Sequence, residues 1–184
     1  NFNGSPVTQY KVSSSGILTF TTSASTVPTY SNAAIPNASI PDQSVLVWGI
    51  EGSGANDEIV TKTFGSAGSQ QHWIWFASYT YGTLWTYWSI VLEEGSDKIY
   101  IVDQRTNGTI AVTAGIQLNS TTAFSVANSP SLTTLSANQA DDSDNYYYEF
   151  VFGSQPDDDA KLTSLNITSY SVAPAIVDIE GVIT

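Results

Sequence analysis

The stretch His72–Asp103, HWIWFASYTYGTLWTYWSIVLEEGSDKIYIVD, holds four of the chain's five tryptophans and sets what the rest can become. Its apolar residues come in short runs broken by Tyr-Gly and by Glu-Gly-Ser-Asp, which are turn signals rather than helix interiors. Side chains alternate across a strand. Trp73, Trp75, Ala77 and Tyr79 therefore share one face, with His72, Ile74, Phe76 and Ser78 on the other. In the next run Trp88, Ile90 and Leu92 share a face against Tyr87, Ser89, Val91 and Glu93, and in the third Ile99 and Ile101 oppose Tyr100 and Val102. Three adjacent β-branched and aromatic strands make an antiparallel meander. No segment sustains a 3.6-residue apolar period over three turns.

The other runs agree. Gln9–Val12, Gly16–Thr22, Ser44–Ile50, Ile59–Phe64, Ile110–Leu118 and Tyr146–Phe152 read as strands, and Ser44–Ile50 is apolar enough to be buried on both faces. Ser23–Asp42, with Pro28, Pro36 and Pro41, reads as a loop crossing the fold, and Asn119–Asp144 as a second long polar loop. The expectation is an all-β protein: an antiparallel, jelly-roll-like β-sandwich of about nine strands. GSQPDDD at Gly153–Asp159 marks a junction, giving a sandwich at 1–153, an acidic linker at 154–161 and a strand pair at 162–184. A lone hairpin is marginal in water, so that pair either joins the sandwich or opens another module.

Composition narrows the partners. Seventeen acidic residues against five basic ones give a formal charge of −12, which argues against a phosphate backbone or an anionic membrane surface. Only 12% of residues are charged, so solubility rests on Ser, Thr, Asn and Gln, as in many extracellular β proteins. There is no cysteine, hence no disulfide framework or thiolate chemistry. No basic-then-apolar leader opens the sequence and no run approaches a membrane span.

Several motifs, WSIVLEE with IYIVD and AGIQLNSTTA with NYYYEF above all, resemble a jelly-roll-like module of large secreted Bacteroidetes proteins that are cargo of type IX secretion. The likeness spans roughly Thr8–Gly153, and DDDAKLTSLNITSYSVAPAIVDIEGVIT resembles the opening of an adhesin-type immunoglobulin-like module. It implies an extracellular or cell-surface setting and a role in adhesion or recognition. It implies no catalytic residues, and the sorting domain common in such proteins is not in this sequence.

Four sets of residues are candidates for chemistry. Tyr79, Tyr81, Trp85 and Tyr87 flank a turn and form the expected aromatic patch for a glycan or protein ligand, because such rings supply contact area at small entropic cost. Core packing competes for the same rings: the pairing of Trp73 with Trp75, and of Trp88 with Ile90 and Leu92, points those three tryptophans inward. Asp141, Asp142, Asp144 and Asn145 offer hard oxygens for calcium, although their spacing is not that of an EF-hand and a solvated loop has the same composition. His72 is the one histidine, and no nucleophile elbow accompanies it. Glu93 and Glu94, with Glu51 and Glu58, are the remaining carboxylates that could pair for glycoside hydrolysis, but such pairs need a fixed spatial separation. Five Asn-x-Ser/Thr sites, at Asn3, Asn37, Asn107, Asn119 and Asn166, would take glycans only in a glycosylating host.

The expected function is non-catalytic extracellular recognition of a glycan or protein, with calcium as a candidate brace. The alternatives are an accessory domain of a secreted hydrolase and a structural subunit assembling by strand addition through the C-terminal strands.

Overall fold

A computed structural model describes residues 1–24, 29–134 and 145–152. They hold eleven strands and no helix. One sheet is ordered β1 (Lys11–Val12), β2 (Ile17–Thr19), β3 (Ser44–Trp48), β8 (Ala111–Asn119), with β9 (Thr122–Ser125) and β10 (Leu132–Thr133) sharing the far edge of β8. The other is ordered β11 (Tyr146–Val151), β7 (Lys98–Thr106), β6 (Leu84–Glu93), β5 (Gln71–Tyr81), β4 (Glu58–Phe64). All pairings between named strands are antiparallel. The sandwich expected from the sequence is the fold.

The core lies between the sheets. Val45 and Val47 of β3 and Val112, Ala114 and Ile116 of β8 meet Ile74 and Phe76 of β5, Trp88 and Ile90 of β6, and Ile99 and Ile101 of β7. These inward sets repeat every second residue, as the pleat requires. The two outer faces differ. That of the first sheet is closed by the crossing loop, where Ile40 joins Ile17, Leu46 and Trp48 in a second buried cluster with Ala33 and Ile35 packed against it. Trp48 Nε1 donates to the Thr29 carbonyl at 2.7 Å, and Gln117 Nε2 donates to the carbonyls of Asn37 at 3.0 Å and Ile40 at 2.9 Å. These bonds satisfy buried groups and hold the loop down. The outer face of the second sheet has no such cover among the described residues.

Asn119–Asp144 departs from its reading as one long loop. It contains β9 and β10, short edge strands whose half-polar composition hides them. The acidic linker at 154–161 and the strand pair at 162–184 lie outside the described residues.

Candidate functional site

Two irregularities set which side chains reach the open face. β5 carries a bulge: Phe76 pairs with Trp88 and Tyr79 with Thr86, so Ala77 and Ser78 together oppose Tyr87. Ser78 takes the left-handed conformation, φ 58°, that such a bulge uses. β7 carries another: Trp88 pairs with Asp103 and Tyr87 with Arg105, leaving Gln104 as the extra residue. Both bulges flank Tyr87. A one-residue insertion exchanges the faces of everything beyond it.

Tyr79 is consequently turned inward. Its side chain is 2% exposed and meets Phe76 edge-on at 5.3 Å. Burial, with the Asp57 carboxylate second, raises its phenol well above the ordinary tyrosine value. The structure thus separates Tyr79 from the patch expected for it. Arg105 moves the other way, outward, its guanidinium 5.1 Å from the centre of the Trp85 ring.

Trp73 and Trp75 also depart from their expected place. Ile74 and Phe76 fill the core, so the two tryptophans stand on the outer face, Trp75 at 37% exposure. Trp75 lies 5.6 Å from Tyr87, and Tyr87 lies 5.5 Å from Trp85 at near right angles. Trp85 and Tyr87 are therefore together on the face, as the sequence suggests. Their companions are Trp75 and Arg105. The side chain of Tyr81 lies outside the described set.

A second aromatic group continues along the same face. Trp73, Val91, Tyr100 and Glu149 form one row across β5, β6, β7 and β11, and Trp75, Ser89, Val102 and Tyr147 form the next. Phe64 meets the Trp73 ring edge-on at 6.5 Å, and Tyr100 meets Tyr147 at 6.2 Å. Because β6 contributes only Ser89 and Val91 at these levels, a trough of about 370 Å³ opens over it, lined by Trp73, Tyr100, Tyr147 and Asn145 among others. Tyr100 is pushed up from the ordinary phenol range, first by burial and then by the Glu93 and Glu149 charges.

The remaining candidates fall elsewhere. Asn145 lines the trough, whereas Asp141, Asp142 and Asp144 lie outside the described residues. Among the described residues no three His, Asp or Glu side chains converge as a metal would require. His72 is held at both nitrogens by hydroxyls, Nε2 to Tyr10 and Nδ1 to Thr63, each at 2.8 Å. The ring thereby bridges β5, β4 and the N-terminal segment. Glu94 accepts from the backbone N–H of Gly68 and Gln70, at 2.7 and 3.2 Å, and fastens a turn. Glu93 accepts from Gln71 Nε2 at 3.2 Å. Glu58 is exposed on β4, and Glu51 accepts from the Ser53 hydroxyl at 2.9 Å.

Residues 1–152, from the N-terminal segment through the end of β11, match the family described as NIDO related. The chain belongs to the NIDO-related family. This is an extracellular-type module family. No curated protein and no solved structure matches the chain. The two aromatic groups stand on the outer face that the NIDO-related sandwich leaves uncovered among the described residues. No helix of the described residues is long and apolar enough to cross a membrane.

Proposed function

We propose that this NIDO-related domain is a non-catalytic extracellular recognition module and that it binds a glycan through the outer face of the β11-β7-β6-β5-β4 sheet. One observation carries the reading: aromatic rings stand in contact across that face while the opposite outer face is sealed by its own loop. Monomeric proteins rarely leave contiguous apolar surface open without a use for it. Trp75, Trp85 and Tyr87 supply flat area already ordered by mutual contact, which lowers the entropic cost of binding. Arg105 over Trp85 adds a donor at the edge. The resemblance to type IX secretion cargo of Bacteroidetes supports a surface setting, and an adhesin or a secreted hydrolase would use such a face alike.

The test is a printed array of glycans and extracellular proteins, probed with the full chain and with a Trp75→Ala/Tyr87→Ala variant. The reading expects glycan signals that the variant loses. Equal signals from both proteins remove this face from consideration, and signals from proteins alone move the ligand class. A calcium brace at Asp141, Asp142, Asp144 and Asn145 enters the proposal on composition alone. A melting temperature indifferent to calcium and to chelator retires it.

A second reading, assembly by strand addition, is favoured by β4. All seven of its residues are exposed and, among the described residues, it ends its sheet, so its outer edge is the one a neighbour's strand would meet. Leu162–Thr184, with its strand-like rhythm, would be the donor. A chain truncated after Phe152 that keeps the oligomeric state of the full chain dismisses this reading.

A further inference from the structure

Within the open face, the trough over β6 has a chemistry of its own. Its floor is aliphatic, Val91 and Val102, both buried. Its walls are the Trp73 indole on β5 and the phenols of Tyr100 and Tyr147 on β7 and β11. The indole wall is fixed in place: Nε1 donates to Gln71 Oε1 at 3.3 Å, Gln71 Nε2 donates to Glu93 at 3.2 Å, and Phe64 abuts the ring. Among the described residues Gln71 Nε2 uses one of its two N–H donors, on Glu93. The rim adds the Asn145 amide and the Glu149 carboxylate.

We propose that this trough is a subsite for one neutral hexopyranose unit, its axial C–H face laid on an aromatic wall and its equatorial hydroxyls met by Gln71, Asn145 and Glu149. The proposal rests on the recognition reading above and names the ligand class for part of that face.

The match is chemical. A pyranose chair presents a patch of polarised C–H bonds, which suits the negative face of an indole or phenol. Each ring hydroxyl is both donor and acceptor, so amides that can do both, beside an acceptor-only carboxylate, satisfy neighbouring hydroxyls in a defined order. A volume of about 370 Å³ stands at the small end of ligand pockets, roughly 300–1,000 Å³, which suits a single sugar rather than a folded partner. Charge favours a neutral sugar, since the lining holds the Glu149 carboxylate and no cation. Two cations lie near: Lys98, paired with Glu149 at 3.0 Å, and Lys62, which stands across from Trp73 on β4 with its Nζ 5.0 Å from the Phe64 ring centre, outside the trough lining. A sialylated or sulfated sugar would place its anion against Glu149 and Glu93 on a chain of net charge −12, and like-charge juxtaposition opposes binding.

The experiment uses the full chain and titrates methyl glycosides of glucose, galactose and mannose, N-acetylglucosamine, and N-acetylneuraminic acid as the anionic comparator. Binding is followed by tryptophan emission and by amide chemical shifts. The expected result is saturable binding of at least one neutral sugar with a Kd on the order of 1 mM. Tyr147→Ala, at a side chain 67% exposed and so tolerant of truncation, should weaken it at least tenfold, and Trp73→Ala likewise. Phe124→Ala, exposed on β9 of the other sheet, should leave it unchanged. No saturable response to any neutral sugar overturns the proposal, as does tighter binding of the anionic one. Binding that survives Tyr147→Ala and Trp73→Ala but fails in Trp85→Ala overturns the trough while the wider face keeps its role. A protein ligand whose binding shifts the trough amides, with every sugar silent, also overturns it and leaves recognition standing.

Discussion

Gly52→Ala tests the inward turn of Tyr79 from the opposite side of the contact. A Cβ built on Gly52 would lie 2.7 Å from Tyr79 Cε1, 2.8 Å from Cζ and 2.9 Å from the hydroxyl oxygen. Carbon atoms in comfortable contact sit at about 3.5–4.0 Å, so ring or loop must retreat by roughly 1 Å. The ring has little freedom to do so, being 2% exposed and lodged against Phe76. Overpacking of this kind costs about 1–3 kcal/mol. The φ of Gly52 is outside the left-handed region, so alanine also removes about 0.4–1 kcal/mol of unfolded-state entropy. The net expectation is a loss of about 1–2 kcal/mol, or a fall of roughly 2–8 °C in Tm for a chain of this length. In a Tyr79→Leu background, whose own cost is about 2–4 kcal/mol, the added methyl meets no ring. There Gly52→Ala becomes neutral or stabilising, a coupling of about 2 kcal/mol. Tyr79→Phe keeps Cε1 and Cζ and should not relieve the clash. Urea unfolding of the four proteins of the cycle measures this. Effects of the two substitutions that add to within about 0.5 kcal/mol would mean that the ring does not lie over Gly52, and the bulge account of β5 would fall with it.

Three further outcomes are expected. Gly115→Ala places a Cβ 2.5 Å from the Phe124 carbonyl oxygen and 2.9 Å from Ile35 Cδ1, so β9 must part from β8 at a cost of about 3 kcal/mol; amide exchange in Thr122–Ser125 accelerating more than in β3 is the sign to look for. Tyr79→Phe should flatten the alkaline limb of the stability profile: burial raises the folded phenol above its ordinary 10.0, so the proton-linked stability is fully present below that value and is lost as pH climbs past it. The wild-type chain should therefore lose stability faster than the variant above pH 10, with Tyr10, Tyr100 and Tyr148, also raised by burial, supplying the slope that remains. His72→Ala should cost about 1–2 kcal/mol in urea unfolding, since the Tyr10 and Thr63 hydroxyls lose their shared partner, and a larger loss would mean the imidazole braces more than these two.

The fold was legible because its strands obey the two-residue rhythm wherever one face is aliphatic and the other is not. Ile110, Val112, Ala114 and Ile116 all point inward as their spacing says, and so do Trp88 and Ile90. The rhythm is silent where both faces are apolar. In Trp73-Ile74-Trp75-Phe76 it separates two sets without saying which is inside, and the aliphatic and phenyl pair takes the core while the indoles go out. The trough was beyond reach for another reason: Trp73, Tyr100 and Tyr147 meet only because β11 returns to pair with β7, and no local pattern announces that return. β9 was hidden by its composition, since an edge strand with exposed Phe124 and two hydroxyl residues looks like the loop around it.

The paired bulges tie the fold to the site. Regular pairing beyond Phe76 would have kept Tyr79 in line with Trp75 on the open face, and regular pairing beyond Asp103 would have aimed Arg105 into the core. A guanidinium there would need a partner to offset its desolvation, and an inward gap would replace the Tyr79 ring. One extra residue on each side of Tyr87 removes both problems at the cost of one left-handed serine, about 1–3 kcal/mol before compensation. The same exchange puts the cation beside the Trp85 ring. Deleting Ser78 should therefore do more than destabilise: it would return a phenol to the surface and open the core beneath the face, so ligand binding and stability should fall together, whereas Trp75→Ala should lower binding while leaving the unfolding midpoint nearly unmoved.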